Sequence, residues 1–312
     1  MIIKKFNKKD DYQRVSDFLT QCYKENKNML CWLPERFDDL LFRIDVLYKK
    51  ERGQEASSDY IYIFEDNKEI VGVILPDGDS FNSCIKKGYE KIFSKMLDLS
   101  EKKLLPLFKK DENGEIDFLV ISHDSLEYQA EELIKRGYVK DDAEDYDNVQ
   151  HPMETNYQIT LPQGFQQVYG EQLDDHKKAK ACHYGFQPAD DDGILVGAFR
   201  EGLLAYNGRK NSKFYNDSFE SLIITDDGDI CTYCFCYVNK DNGTAFIEPV
   251  CTREKYHGKG FCKQMLYGVI NRLKEMNIEN AYINSYDWRK KVYNSSGFET
   301  EDSIGFWHKK IK

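Results

Sequence analysis

The stretch KYHGKGFCKQML, residues 255–266, sets Gly258 and Gly260 among Lys255, Lys259 and Lys263. A β-branched, acidic run precedes it and an apolar run of helical period follows. Glycines at such a junction let the backbone turn tightly and aim several N–H groups at one point. The N-terminus of the following helix adds about half a positive charge. These residue types at this spacing describe a cradle for a pyrophosphate or a similar anion. A surface turn with incidental lysines is the alternative, and on this turn alone it stays open. The G-x-x-x-x-G-K-[ST] phosphate loop is not matched, and the third glycine of a dinucleotide-binding fingerprint is missing.

Elements must hold that turn in place. Downstream, Met265, Leu266, Val269, Ile270, Leu273 and Met276 recur on one helical face. Upstream, NKDNGTAFIEPVCT (residues 239–252) opens on an Asn-Gly turn pair and continues as a strand. Pro249 lies inside it and cannot donate to a ladder, so the strand is predicted to bulge or lie unpaired on one side there. Two hairpins are also legible, one turning at Asp66-Asn67-Lys68 and one at Asp226-Asp227-Gly228. Each half then carries a strand–helix unit closing on glycine and an aromatic, Gly137-Tyr138 and Gly297-Phe298. Asn67 to Asp227 and Gly137 to Gly297 are both offsets of 160 residues (227 − 67 and 297 − 137). Equal offsets between like elements indicate a duplicated domain, with the joint near Pro162 and Gly164; two unrelated mixed domains are the alternative. The fold class is α/β of the mixed α+β kind, in two domains, 1–157 and 158–312. Each is read as a mostly antiparallel mixed sheet flanked by helices.

A chain of 312 residues is long enough for two cores. Its net charge of −10 argues against nonspecific binding to nucleic acid or anionic lipid, and it favours a cationic small molecule. The start MIIKKFNKKDDYQRV has no apolar signal segment and no run approaches membrane-spanning length, so a soluble cytoplasmic protein is expected, with no membrane partner. Nine scattered cysteines suggest free thiols in a reducing compartment. In CTYCFC, Cys231 and Cys234 are expected on opposite strand faces, and no second pair at zinc spacing follows, so no metal is expected.

IEPVCTREKYHGKGFCKQML, followed by AYINSYDWRKKVYNSSGF, resembles the GNAT N-acetyltransferase superfamily, and more narrowly bacterial tandem-GNAT proteins. The family's acetyl-CoA loop, [QR]-x-x-G-x-[GA], falls on His257, Gly258, Lys259, Gly260, Phe261 and Cys262. His257 and Cys262 depart from it and Gly260 is retained. The closing Y-x-x-x-G-F is matched by Tyr293 and Gly297-Phe298, while the usual asparagine seven residues earlier is Tyr286. The detailed resemblance covers residues 160–312. The first half matches in layout and lacks the loop, which implies one active domain, 158–312, and one degenerate copy, 1–157.

The resemblance implies an acetyl-CoA-dependent transfer of acetyl to the primary amine of a small molecule by direct attack on the thioester. A protonated amine must lose a proton first, and Glu248, beside Pro249, is the leading base; a solvated strand glutamate is the alternative. Backbone groups at Val250, Cys251 and Thr252 would bind the cosubstrate, with Val250 stabilising the oxyanion. Tyr293 would protonate the departing CoA thiolate; a packed helix tyrosine is the alternative. Asn284 could bond pantetheine or be an ordinary strand-end residue. His183 and the aromatics of NSKFYNDSF (residues 211–219) read as packing. A non-catalytic acyl-CoA-binding module and a peptide or protein acetyltransferase compete with the small-molecule enzyme. The sequence identifies neither the acceptor nor the oligomeric state.

Overall fold

The computed structural model describes residues 1–50, 55–186 and 196–312. Its strands are β1 (Ile2–Lys5), β2 (Tyr62–Asp66), β3 (Glu69–Pro76), β4 (Ser80–Ile85), β5 (Ile116–His123), β6 (Val139–Gln150), β7 (Phe165–Tyr169), β8 (Glu220–Thr225), β9 (Ile230–Asn239), β10 (Thr244–Thr252), β11 (Asn280–Tyr286) and β12 (Glu299–Ile311). Its α-helices are α1 (Lys8–Asn26), α2 (Pro34–Asp39), α3 (Asp45–Lys50), α4 (Phe93–Lys103), α5 (Glu127–Lys135), α6 (Asp175–Gly185), α7 (Val196–Arg209), α8 (Phe261–Glu275) and α9 (Asp287–Ser295).

The chain divides into two compact units, residues 1–147 with 301–312, and residues 148–300. This differs from a cut at 157/158 in two places. Residues 148–157 belong with the second unit because their polar groups are satisfied there. The Tyr157 N–H donates to Asn271 Oδ1 at 3.0 Å, Asn271 Nδ2 donates to the Tyr157 carbonyl at 2.7 Å, and the Tyr157 ring stacks on Tyr267 at 4.0 Å. The last strand, β12, pairs antiparallel with β5 from Ile304–His123 to Ile311–Ile116, so the chain's end completes the first unit.

The first unit's strands run in the order β1-β2-β3-β4-β5-β12-β6, with a parallel step at β4–β5. The second unit's run β11-β10-β9-β8-β7, with a parallel step only at β10–β11. The repeat is visible in local geometry as well. Gly137 and Gly297 both take positive φ (80° and 94°), and the N–H of Tyr138 and of Phe298 each return to a carbonyl five residues earlier, Leu133 and Tyr293. A bulge at Ile70–Gly72 of β3 recurs at Ile230–Thr232 of β9, again 160 residues on (230 − 70). That second bulge overturns the expected divergence of Cys231 and Cys234. It breaks the strict alternation on which the divergence rested, and both thiols lie in one buried cluster. Among the described residues no group of His, Cys, Asp or Glu is arranged to hold a metal.

In the second unit, α8 lays Phe261, Met265, Leu266, Val269, Ile270 and Leu273 against β8, β9 and β10. Burial of each such side chain contributes about 1.5–3 kcal/mol. Helices α6 and α7 are fixed by a polar hub. Lys178, fully buried on α6, sits 2.7 Å from the fully buried carboxylate of Glu220 on β8 and 3.0 Å from Asp175. Glu220 Oε1 also accepts from the hydroxyls of Tyr206 on α7 (2.9 Å), Tyr233 on β9 (3.0 Å) and Tyr215 (3.3 Å). Burial alone would push the Lys178 pKa down, but the Glu220 and Asp175 carboxylates outweigh it and hold the pKa above its usual value.

Removing one partner of such a buried pair strands the other charge, which typically costs about 3–5 kcal/mol. Lys178→Met should therefore lower the unfolding free energy in urea by about that amount, and Lys180→Met on the exposed face by no more than ~0.5 kcal/mol. Equal urea midpoints for the two variants would dismiss the hub as the anchor of α6.

Candidate active site

The site is built at the gap between two parallel strands. The ladder between β10 and β11 covers only Thr244–Phe246 with Asn280–Tyr282, although both strands run on beyond it. On the other side, β10 pairs with β9 along its length with one register shift between Ile247 and Val250. Glu248 and Pro249 occupy that shift, as the proline predicts, and the peptide bond between them is cis.

Strand alternation decides which backbone groups face the gap. The Arg253 N–H donates to the Cys231 carbonyl of β9 at 3.0 Å. Cys251, two residues earlier, turns its N–H the same way, so Val250 and Thr252 present theirs to the side away from β9. The side chains of Val250 and Cys251 are buried. A Cβ on Gly185, the last residue of α6, would collide with Cys251 Sγ, so glycine lets the helix end close on the strand. The structure thus separates the three predicted binding positions: Val250 and Thr252 offer backbone donors to the gap, and Cys251 is committed to packing.

After β10 a short turn of 3₁₀-helix (Glu254–Tyr256) leads into the glycine loop. His257 Nε2 donates to the Thr252 carbonyl at 2.7 Å, which ties the loop to the strand end. Gly258 and Gly260 adopt φ of +73° and +75°, and a Cβ on either would meet nothing within 4 Å. Backbone conformation, together with open space above it, calls for glycine here. Gly260 caps α8 without any side-chain hydrogen bond, so the first N–H groups of the helix, from Phe261 and Cys262 onward, have no acceptor inside it. The Phe261 side chain is buried against Phe165 at 4.7 Å, so only its backbone serves the loop.

Of the three lysines counted toward the cradle, Lys255 is engaged elsewhere. Its Nζ lies 2.9 Å from Asp229, which also pairs with Arg253 and accepts from the Tyr256 hydroxyl at 2.6 Å. Burial would raise the Asp229 pKa, but Tyr256, Lys255 and Arg253 together lower it to about 2. Lys259 lies over the Tyr256 ring at 5.4 Å and Lys263 over the Tyr267 ring at 5.5 Å; neither forms an ion pair with a described residue. Asp229 follows a turn glycine and has no sequence neighbour that advertises its role, so sequence reasoning missed it.

Tyr293 on α9 is buried at 5% exposure, and its ring packs edge-on against Phe298 at 6.2 Å. Its hydroxyl makes no hydrogen bond with a described residue. Burial raises its pKa above that of an ordinary tyrosine, and the Cys262 and Glu248 charges add to the rise while Arg289 opposes it. Glu248 and Cys262 thus both lie within electrostatic reach of Tyr293. The Cys262 thiol is pushed up to about 11 by burial. Cys251 is raised well above a normal thiol, by its contact with Cys182 and by burial. Asn284 is half-buried on β11, on the stretch that runs past the ladder.

Because the folded pKa of Asp229 is depressed, its contribution to stability is present above the ordinary carboxylate value of about 4 and is lost as pH falls toward about 2. Asp229→Asn should thus unfold at lower urea than the parent at pH 6, with the difference narrowing at pH 3. A difference that widens on acidification contradicts the assignment.

Residues 153–298 match the model of the Acetyltransferase (GNAT) family. No curated protein matches the chain. Among solved structures, a GCN5-related N-acetyltransferase from Sphaerobacter thermophilus has a TM-score of 0.62 at 12% identity, covering 100% of this chain and 96% of that one. A tandem GNAT protein from the clavulanic acid biosynthesis pathway has a TM-score of 0.56 at 12% identity, covering 99% and 98%. An acetyltransferase of the GNAT family from Colwellia psychrerythraea has a TM-score of 0.56 at 13% identity, covering 99% and 100%. At these identities the likeness establishes the fold alone, and the loop, bulged strand and closing helix sit inside the matched residues. The match to the acetyltransferase (GNAT) family model thus falls wholly within the second unit, where the loop, the bulged strand and the closing helix lie.

Proposed function

We propose that the second unit transfers an acetyl group from acetyl-CoA to the primary amine of a small molecule, by direct attack and without an acyl-enzyme. The observation that carries this reading is the convergence on one gap. Backbone donors at Val250 and Thr252 face it, the open glycine loop follows it, and the carboxylate on the bulge lies within electrostatic reach of Tyr293, a buried side chain whose hydroxyl makes no hydrogen bond with a described residue. The fit to the cosubstrate rests on the uncapped start of α8 and the empty space over Gly258 and Gly260, which suit a pyrophosphate. Gly258, Lys259, Gly260, Phe261 and Cys262 would hold it through their N–H groups, Lys259 with its charge as well, and Asn284 would hold the pantetheine arm. Acetyl-CoA supplies an activated acyl thioester there.

The chain's own groups do the rest. Glu248 removes a proton from the incoming ammonium, directly or through water. The Val250 N–H is a donor to the thioester carbonyl. The Tyr293 hydroxyl, kept protonated by burial, gives its proton to the departing thiolate. The raised pKa values of Cys251 and Cys262 keep both thiols protonated at neutral pH, which favours direct attack over thiol relay. His257, which stands where the family has Gln or Arg, serves the loop by closing it onto Thr252.

In the first unit the corresponding parts differ. Leu133 stands where the repeat places Tyr293 (133 + 160 = 293), and it is fully buried. The N–H of Gly88, on the loop before α4, donates to Glu90 Oε1 at 2.7 Å. We read this unit as a degenerate copy that binds no cosubstrate. Calorimetric titration should give one acetyl-CoA per chain, and two would refute that reading.

Gly260→Val should weaken acetyl-CoA binding at least tenfold, since valine resists positive φ and fills the space above the loop. Glu248→Gln should retain acetyl-CoA affinity and lower turnover by roughly 10²- to 10⁴-fold, measured as CoA release with an accepted amine. A Glu248→Gln enzyme at full rate would remove it as the base. If no amine in a broad panel releases CoA from the parent protein while acetyl-CoA still binds, the chain is a binding module.

A further inference from the structure

Tyr286 and Trp288 are the two most exposed aromatic side chains of the second unit's described residues, at 59% and 69%. Their rings are parallel within 3° and their centroids are 6.2 Å apart. The Arg289 guanidinium lies over the indole at 4.4 Å. Lone surface aromatics need no explanation, but two aligned rings held in water beside a cation form an organised apolar surface. We propose, building on the acetyl-CoA reading above, that this pair is the platform on which the adenine of the cosubstrate stacks, with Arg289 beside it for a phosphate.

Position and charge support that occupant. Helix α9 begins at Asp287, directly after β11 ends at Tyr286, and α8 begins shortly after β10. Because β10 and β11 are parallel, both helices start at the same end of the sheet, on either side of the gap. Arg289 bears on the Cys262 thiol in the first turn of α8 and on the Tyr293 hydroxyl, opposing in each the larger effect of burial. Helices α8 and α9 also touch each other, so the platform stands at the glycine-loop end of the sheet. Arg289, like Lys259 and Lys263, makes no ion pair with a described residue, in a chain whose net charge is −10. Unneutralised cations clustered at one gap suit a ligand with several phosphates. Every base offers a π-face, and a nucleotide combines that face with anionic groups as this surface requires.

The test compares acetyl-CoA with S-acetylpantetheine, which carries the same thioester and arm but no nucleotide. Trp288→Ala should weaken acetyl-CoA binding on the order of tenfold and leave acetylpantetheine within about twofold, while Trp288→Phe keeps most of the acetyl-CoA affinity. Isothermal titration of the full chain reads all of these, and the exposure of Trp288 means the fold is not at stake. Equal losses for the two ligands, or no loss for either, overturn the platform. A parent protein that does not bind acetyl-CoA overturns the functional reading and the platform with it. A parent that binds both ligands while Trp288→Ala is unaffected overturns the platform alone.

Discussion

The second unit depends on one buried ion pair. Lys178 and Glu220 are both inaccessible to water, and an unpaired charge at either position would not be tolerated. Hydrophobic residues could fill the same volume at similar stability, so packing alone does not account for the choice. Glu220 differs from an apolar side chain in giving three tyrosine hydroxyls, from α7, β9 and the segment before β8, a common acceptor. A carboxylate of fixed position therefore sets the register of α6 and α7 against the sheet. That register brings Gly185 against Cys251, three residues beyond the bulge that carries Glu248.

The gap follows from a second constraint, the inability of proline to join a ladder. With Pro249 in β10, one extra residue is accommodated opposite β9, and pairing with β11 ends at Phe246. Backbone donors that a continuous sheet would consume are left facing the opening. The helices that follow the two strands add their own uncommitted N–H groups at the same end. An acidic protein thus acquires a locally electropositive opening. Asp229 supplies local order: by engaging Arg253, Lys255 and Tyr256 it fixes the strand-to-loop path and removes one lysine from the ligand's side.

Much of this was legible from residue types. The Asn-Gly turn, the proline-bearing strand, the glycine loop and the apolar face from Met265 to Leu273 are local patterns, and local patterns survive folding. The repeat was legible because turns preserve spacing. What escaped depended on distant partners. Nothing near Lys178 in the sequence announces Glu220, forty-two residues later (220 − 178), and a lysine on a helix reads as solvated. The bulge at Cys231 defeated simple alternation because a bulge has no residue signature of its own. The tie of residues 148–157 to the second unit was not legible because the polar backbone atoms of Tyr157 are satisfied by Asn271 on α8, more than a hundred residues on (271 − 157). In YDWRKK (residues 286–291), two aromatics and three cations in six positions were a visible signal whose meaning required the placement of α9.

The strand β12 has a consequence for the order in which this protein can be built. Residues 1–147 emerge first during synthesis, yet one interior strand of their sheet lies in residues 301–312. Until that segment appears, β5 exposes an unpaired edge of apolar residues, a template for association with other chains. The whole of residues 148–300 is translated in the interval. The first unit to be made is thus the last to be finished, and a chain broken off before β12 would leave its earlier half open while its later half could close.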